Sequence, residues 1–153
     1  MKGYNRFVRK IKTIAICTSA SFYKDCLDTA KELKKLGFKV RIPKTALIMK
    51  RRNNFNVDDY KTWFKNKDDY KLKKGLMKLH FKKIIESDAI LVLNKEKNGI
   101  KGYIGGNTLM EMTIAFHYKK PIFIFNKISE KSNIKEEIYG LTPVFMLGDL
   151  RRI

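Results

Sequence analysis

The stretch TIAICTSASFYKDCLDTAKELKKLGFKVRIP, residues 13–43, changes its periodicity twice and decides the fold. Thr13-Ile14-Ala15-Ile16-Cys17 is a short, β-branched, nearly unbroken apolar run, the pattern of a strand buried on both faces. The small polar residues Thr18-Ser19-Ala20-Ser21 mark a turn. Leu27, Ala30, Leu33 and Leu36 then recur at three-residue steps, which predicts a helix over 22–36 stopped by Gly37. Residues 38–42 read as a second strand, closed by Pro43. Strand, helix and strand in about thirty residues make a βαβ unit, and such crossovers are parallel and right-handed.

Outward from this unit the alternation continues. Residues 88–94 (DAILVLN) are the clearest buried strand in the chain, and 122–125 (IFIF) and 143–146 are two more. Between them stand a predicted helix at 108–118 and a short one near 134–139. A longer helix is expected over 69–87, with Leu76, Leu79, Ile84 and Ile85 for its buried face, and Trp63 and Phe64 anchor a short helix before it. Five strands alternating with helices predict an α/β single domain: a doubly wound, mostly parallel five-stranded sheet of the flavodoxin or Rossmann-like kind. Residues 1–12 form a basic N-terminal lead-in, and 13–153 the α/β domain. Internal repeats are absent.

Composition narrows the class. The 153 residues are 44% hydrophobic, enough for a proper core. Two cysteines, Cys17 and Cys26, make no disulfide framework and suit a reducing, cytoplasmic setting. No apolar run approaches the roughly 20 residues of a membrane span, and the first one is too short for the core of a signal peptide. Zinc, iron and P-loop signatures are missing, so neither metal nor cofactor is expected. The net charge of +19 has two readings: a polyanionic partner, or lysines filling solvated positions. Residues 44–83 alone hold thirteen Lys and Arg against four acids.

In open α/β sheets the ligand sits beyond the carboxyl ends of the strands, where the topology switches. That rule points to three loops: 18–22, 94–108, and the one from Asn126 onward. The second holds Gly99, Gly102, Gly105 and Gly106 of the nine glycines. Gly105 and Gly106 permit close approach of backbone to ligand, and a helix starting near Thr108 aims free N–H groups there, a ready anion site. Glu111 lies in the first turn of that helix. Thr108-x-x-Glu111 is also a capping box, in which the glutamate only reaches back to the N-cap amide.

His80, the strand Asp88-Ala89-Ile90-Leu91-Val92, Asn98-Gly99-Ile100, Gly105-Gly106-Asn107-Thr108-x-x-Glu111 and Lys120-Pro121-Ile122 together resemble the nucleoside 2-deoxyribosyltransferase superfamily. That group includes the deoxynucleoside-monophosphate N-glycosidases. The likeness extends to the strand, turn and helix of 14–36 and misses mainly the basic middle. The glycine turn with T-x-x-E is similar, too, to the cytokinin-activating phosphoribohydrolases.

The resemblance implies an enzyme that cleaves or exchanges the N-glycosidic bond of a (deoxy)nucleoside or its 5′-monophosphate, without a cofactor. Glu111 matches the glutamate that attacks the anomeric carbon, and a carboxylate suits an oxocarbenium-like transition state. His80 stands where the family has an aspartate that assists the leaving base; an imidazole can donate a proton near neutral pH or simply pack against the sheet. Ser19, Ser21, Tyr23, Asp88, Tyr103, Gly105, Gly106, Asn107 and Thr108 are the candidate substrate-binding residues. For Asp88 the alternative is a cap on the preceding helix, and for Ser19 and Ser21 a turn. The implied partner is a small nucleoside or nucleotide, with a homo-oligomer compatible because such enzymes often complete sites across subunits. Two other classes remain: a non-catalytic nucleotide sensor in which Glu111 only caps, and a nucleic-acid binder using the basic surface. The second is disfavoured because no recognised nucleic-acid motif is present.

Overall fold

The computed structural model describes residues 10–153, so most of the expected basic lead-in, with Lys2, Arg6 and Arg9, lies outside the described residues. The remainder, 10–12, leads straight into the sheet. Strands β1 (Thr13–Thr18), β2 (Lys39–Arg41), β3 (Ala89–Leu93), β4 (Ile122–Ile124) and β5 (Val144–Phe145) form one sheet in the order β2-β1-β3-β4-β5. Every pairing is parallel, with Ile14 opposite Ala89 and Ile90 opposite Ile122. The expected sheet is therefore found, wholly parallel rather than mostly so. The order reverses direction between β1 and β3, which makes their carboxyl ends the switch point.

The helices are α1 (Tyr23–Lys35), α2 (Lys44–Arg52), α3 (Tyr70–Ile85), α4 (Gly106–His117) and α5 (Lys135–Gly140). Alternation along the strands divides the core. Ile14, Ile16, Leu91 and Leu93 pack with Cys26, Ala30 and Leu33 of α1. Ala15, Cys17, Ile90 and Val92 face the other way, onto Ile84 of α3, Met112 and Ala115 of α4 and Ile138 of α5. Strand residues at period two thus feed opposite layers, and Cys17 falls on the α3–α4 side.

Two helix readings shift. Three-residue steps fall about 60° short of a full turn each time, so a run of three such steps drifts around the helix. The buried face of α1 is Cys26, Thr29, Ala30 and Leu33, while Leu36 is exposed. In α3 the buried residues are His80 and Ile84; Leu79 is exposed and Leu76 turns toward a cavity. The helix α2 was not expected, because only Ala46 and Met49 of its nine residues are buried and its charges hide the period.

Asp88 takes neither of its expected roles. It stands just before β3, and its carboxylate accepts the backbone N–H groups of Lys12 (3.0 Å) and Thr13 (2.9 Å). That is the amino end of the sheet, opposite the switch point. Asp88 registers β1 against β3 and neither touches the candidate site nor caps α3.

Candidate active site

A cavity of about 190 Å³ opens at the carboxyl ends of β1 and β3. The turn after β1 supplies Thr18, Ser19 and Ala20, and α1 supplies Tyr23. The loop from β3 and the start of α4 supply Lys97, Tyr103, Gly105, Gly106, Asn107, Thr108 and Glu111. The third expected loop does not take part. Asn126 instead locks to Asn94 across the ends of β3 and β4, its N–H and side-chain amide donating to Asn94 over 2.8 and 3.1 Å. Unexpected walls come from α2 and the 3-10 turns that follow it: Lys44, Thr45, Met49, Tyr60, Lys61 and Trp63. Ser21 is exposed and lies away from the cavity, a correction that follows from the 3-10 turn Ala20–Phe22 turning its neighbour Phe22 inward.

The loop before α4 is built in two pieces. Its outer piece is a tight turn in which Lys97 and Ile100 exchange backbone hydrogen bonds of 3.0 and 2.9 Å, with Asn98 (φ 51°) and Gly99 (φ 75°) at its tip. Both tip residues sit at positive φ, which is why Asn-Gly is found there. Gly102, at φ +63°, presses on the segment after β4 so closely that a Cβ would meet the Lys127 carbonyl oxygen at 2.0 Å. The inner piece then carries Tyr103 and Gly105 into the cavity. A Cβ on Gly105 would come within 3.1 Å of the Tyr103 hydroxyl, so this glycine makes room for the tyrosine.

The capping box does not form. Helix α4 begins at Gly106 with Gly105 as N-cap and no side-chain cap, so Thr108 is already inside the helix. Glu111 is thereby one turn too deep to reach the N-cap amide. Its Oε1 instead accepts the side-chain amide of Asn107 at 2.9 Å, an i,i+4 pair. Asn107 in turn accepts from the Lys73 ammonium at 3.4 Å. Glu111 is 4% exposed, and its Oε2 is buried without a hydrogen bond of ordinary geometry.

Electrostatics follow from this burial. Desolvation pushes the Glu111 carboxyl up to about 8; the Cys17 thiol, the Lys73 charge and the Asn107 amide favour the carboxylate but are outweighed. Burial raises the Cys17 thiol well above its ordinary range, with the charge of Glu111 adding to it. Burial and then Glu111 raise the Tyr23 phenol also.

His80 is 5% exposed and hydrogen-bonds the Ile16 carbonyl through Nε2 at 3.0 Å. A carbonyl only accepts, so Nε2 carries the proton and Nδ1 is an unpaired acceptor. Burial, with Lys83 adding, lowers His80 to about 4. A proton donor to a leaving base near neutral pH needs the imidazolium, and this environment favours the neutral ring.

The ligand-type atoms of Cys17, His80 and Glu111 lie within 4.8 Å of one another, a grouping that sequence spacing did not reveal. As a metal centre it fits poorly: Nε2 is spent on Ile16, and Lys44, Lys61, Lys73 and Lys97 line the same cavity. The lining sets four lysines against the one carboxyl group of Glu111.

Among solved structures, the chain is similar to a 2-deoxyribosyltransferase from the psychrotolerant bacterium Bacillus psychrosaccharolyticus, with a TM-score of 0.51 and 16% identity. The match covers 80% of this chain and 77% of that one, and it supports the shared α/β fold. No protein-family model matches the chain, and no curated protein matches it in sequence. Among the described residues no helix is long and apolar enough to cross a membrane.

Proposed function

We propose that the protein cleaves or exchanges the N-glycosidic bond of a (deoxy)nucleoside or its 5′-monophosphate, with Glu111 as nucleophile. One observation carries this reading: a buried carboxyl group with an unpaired oxygen, at the switch point of the sheet, lining a cavity of about 190 Å³. The fold shared with a 2-deoxyribosyltransferase agrees with it. Ionised Glu111 attacks the anomeric carbon through Oε2; the new C–O bond forms as the C–N bond breaks, and the base leaves with the bonding pair. Water or a second base then takes the sugar and restores the carboxylate, and the proton that it gives up goes to the departed base anion. Asn107 holds Oε1, which leaves Oε2 for the substrate. His80, kept neutral, anchors the end of β1 and offers Nδ1 as an acceptor.

A second reading is a nucleotide sensor with no chemistry, favoured by the carboxyl titrating at about 8 and so protonated in the empty site at neutral pH. One assay separates the two. A panel of nucleosides and monophosphates is incubated with the protein, with and without a second base, and free base is measured by chromatography. Release that is lost in Glu111→Gln supports the enzyme; release surviving the substitution removes Glu111 as nucleophile. Binding without release from any substrate supports the sensor.

A further inference from the structure

Three of the cavity's lysines crowd together. The Lys73 ammonium lies 5.5 Å from the Trp63 ring centre, that of Lys97 5.0 Å from Tyr103, and that of Lys61 6.0 Å from Phe64. Among the described residues none of the three is ion-paired, although exposed lysines elsewhere find acids, as Lys35 does with Glu32 at 3.0 Å. Partial burial and then the charges of Lys97 and Lys73 hold Lys61 below the usual lysine range. Gathering like charges in a half-dry cavity costs energy, which the charge of Asp58 offsets only in part at Lys61, and an anion arriving there recovers it.

An independent feature of the cavity points to a ligand as well. Glu111 is buried and its Oε2 has no hydrogen bond of ordinary geometry, while the aromatic rings of Trp63 and Tyr103 line the same cavity. One carboxyl group and three or four cations cannot be served by the same part of a ligand. The molecule that satisfies both offers an electron-poor carbon to Glu111 and a compact, multiply charged anion to the lysines. Lysine binds phosphate as a point charge and needs no planar, bidentate geometry.

We infer that Lys61, Lys73 and Lys97 form a phosphate subsite, so that the ligand is a free nucleotide and the bare nucleoside binds only weakly. The nucleoside part rests on the function proposed above; the phosphate part rests on the lysines alone. A phosphate monoester carries close to two negative charges at neutral pH and neutralises most of the cluster. Lys73 contacts Asn107, which holds Glu111, so the subsite and the carboxyl group share one chain of contacts.

The test is equilibrium binding by calorimetry to full-length protein, which needs no turnover. Each deoxynucleoside is compared with its 5′-monophosphate, beside inorganic phosphate and a short single-stranded oligonucleotide. The monophosphate should bind at least about tenfold more tightly than its nucleoside, and each of Lys61→Gln, Lys73→Gln and Lys97→Gln should remove most of that preference. Lys131→Gln, outside the lining, should not. Lys97 is half-buried on the outer turn of a loop, away from the sheet, so its substitution keeps the test valid if another variant misfolds. Equal affinity for nucleoside and monophosphate, or a preference that survives all three changes, overturns the subsite. So does affinity that rises with oligonucleotide length and falls steeply with salt, the mark of a nucleic-acid surface. Phosphate-dependent binding without base release would uphold the subsite and reject catalysis.

Discussion

Asn107 holds one oxygen of Glu111 from a single helical turn away, over 2.9 Å, and leaves the other oxygen to the cavity. The pair exists only because α4 starts at Gly106, which brings Asn107 inside the helix. The amide favours the charged carboxylate, against a burial that opposes it.

The rate of base release should therefore follow the ionisation of Glu111. Since the carboxyl group of the free protein titrates at about 8 and only its anion attacks, kcat/KM should climb with pH and level off above 8. Asn107→Ala removes a group that favours the anion and should move the midpoint upward, with a loss of about tenfold at pH 7. A pH–rate profile measures both. A midpoint unmoved by the substitution would contradict the role given to Asn107.

Stability should show the same group with the opposite sign. Glu111 is protonated in the folded state up to about 8 but has an ordinary value of 4.5 when unfolded, so stability present below pH 4.5 is lost as pH rises to 8. His80 goes from an ordinary 6.5 to about 4 on folding, so stability present above pH 6.5 is lost as pH falls to 4. Each slope is about 1.4 kcal/mol per pH unit. They oppose each other between pH 4.5 and 6.5, and from 6.5 to 8 Glu111 acts alone, a decline of about 2 kcal/mol. Urea titrations across this range test it, and Glu111→Gln should abolish the decline.

His80 should behave as an anchor. His80→Ala leaves the Ile16 carbonyl buried without its partner and should cost about 1–3 kcal/mol before any cavity effect. His80→Gln keeps a donor and should recover part of that. In neither variant should the limb of the rate profile near pH 8 shift, because His80 titrates far below it. A limb that moves would make the imidazole a participant in the titration.

Two glycines separated by three residues should respond in opposite ways. Gly102→Ala drives a Cβ to 2.0 Å from a backbone oxygen at φ +63°, and a loss of about 3 kcal/mol or more is expected in thermal unfolding. At Gly106 a Cβ meets nothing within 4 Å, so Gly106→Ala should leave stability within about 1 kcal/mol of the parent.

The single tryptophan reports on the site directly. Trp63 is 6% exposed, lines the cavity and lies beneath the Lys73 ammonium. A nucleotide that draws Lys73 away should change its emission in a saturable titration, and the change should be reduced in Lys73→Gln. Flat emission, with binding seen by calorimetry, would place the ligand elsewhere.

The parts of the molecule written in apolar period were legible in the sequence. β1, α1, β3 and β4 carry it, and they locate the switch point with Glu111, His80, Tyr103 and Asn107 beside it. What escaped is written in charge. Lys44, Lys61, Lys73 and Lys97 read as solvated lysines because nothing local distinguishes a lysine facing water from one facing a cavity. The helix α2 buries just Ala46 and Met49, too few to set a period. The capping box failed because the helix starts earlier, at Gly106 with Gly105 as its N-cap, which puts Thr108 inside it, a start that spacing does not show. Asp88 shows the reverse case, a carboxylate whose backbone partners lie more than seventy residues away.

Gly102 divides the loop ahead of α4 into two districts with different freedoms. Residues 96–101 form a small turn of their own, exposed except for the half-buried Lys97 that lines the cavity; Tyr103 and Gly105 sit behind the point where the chain is clamped against Lys127. Lengthening or recolouring the outer district would change which molecules are admitted while the inner one keeps its place. On the function proposed above, selectivity and chemistry then lie on opposite sides of one residue, and a lineage or a designer can alter the first without disturbing the second.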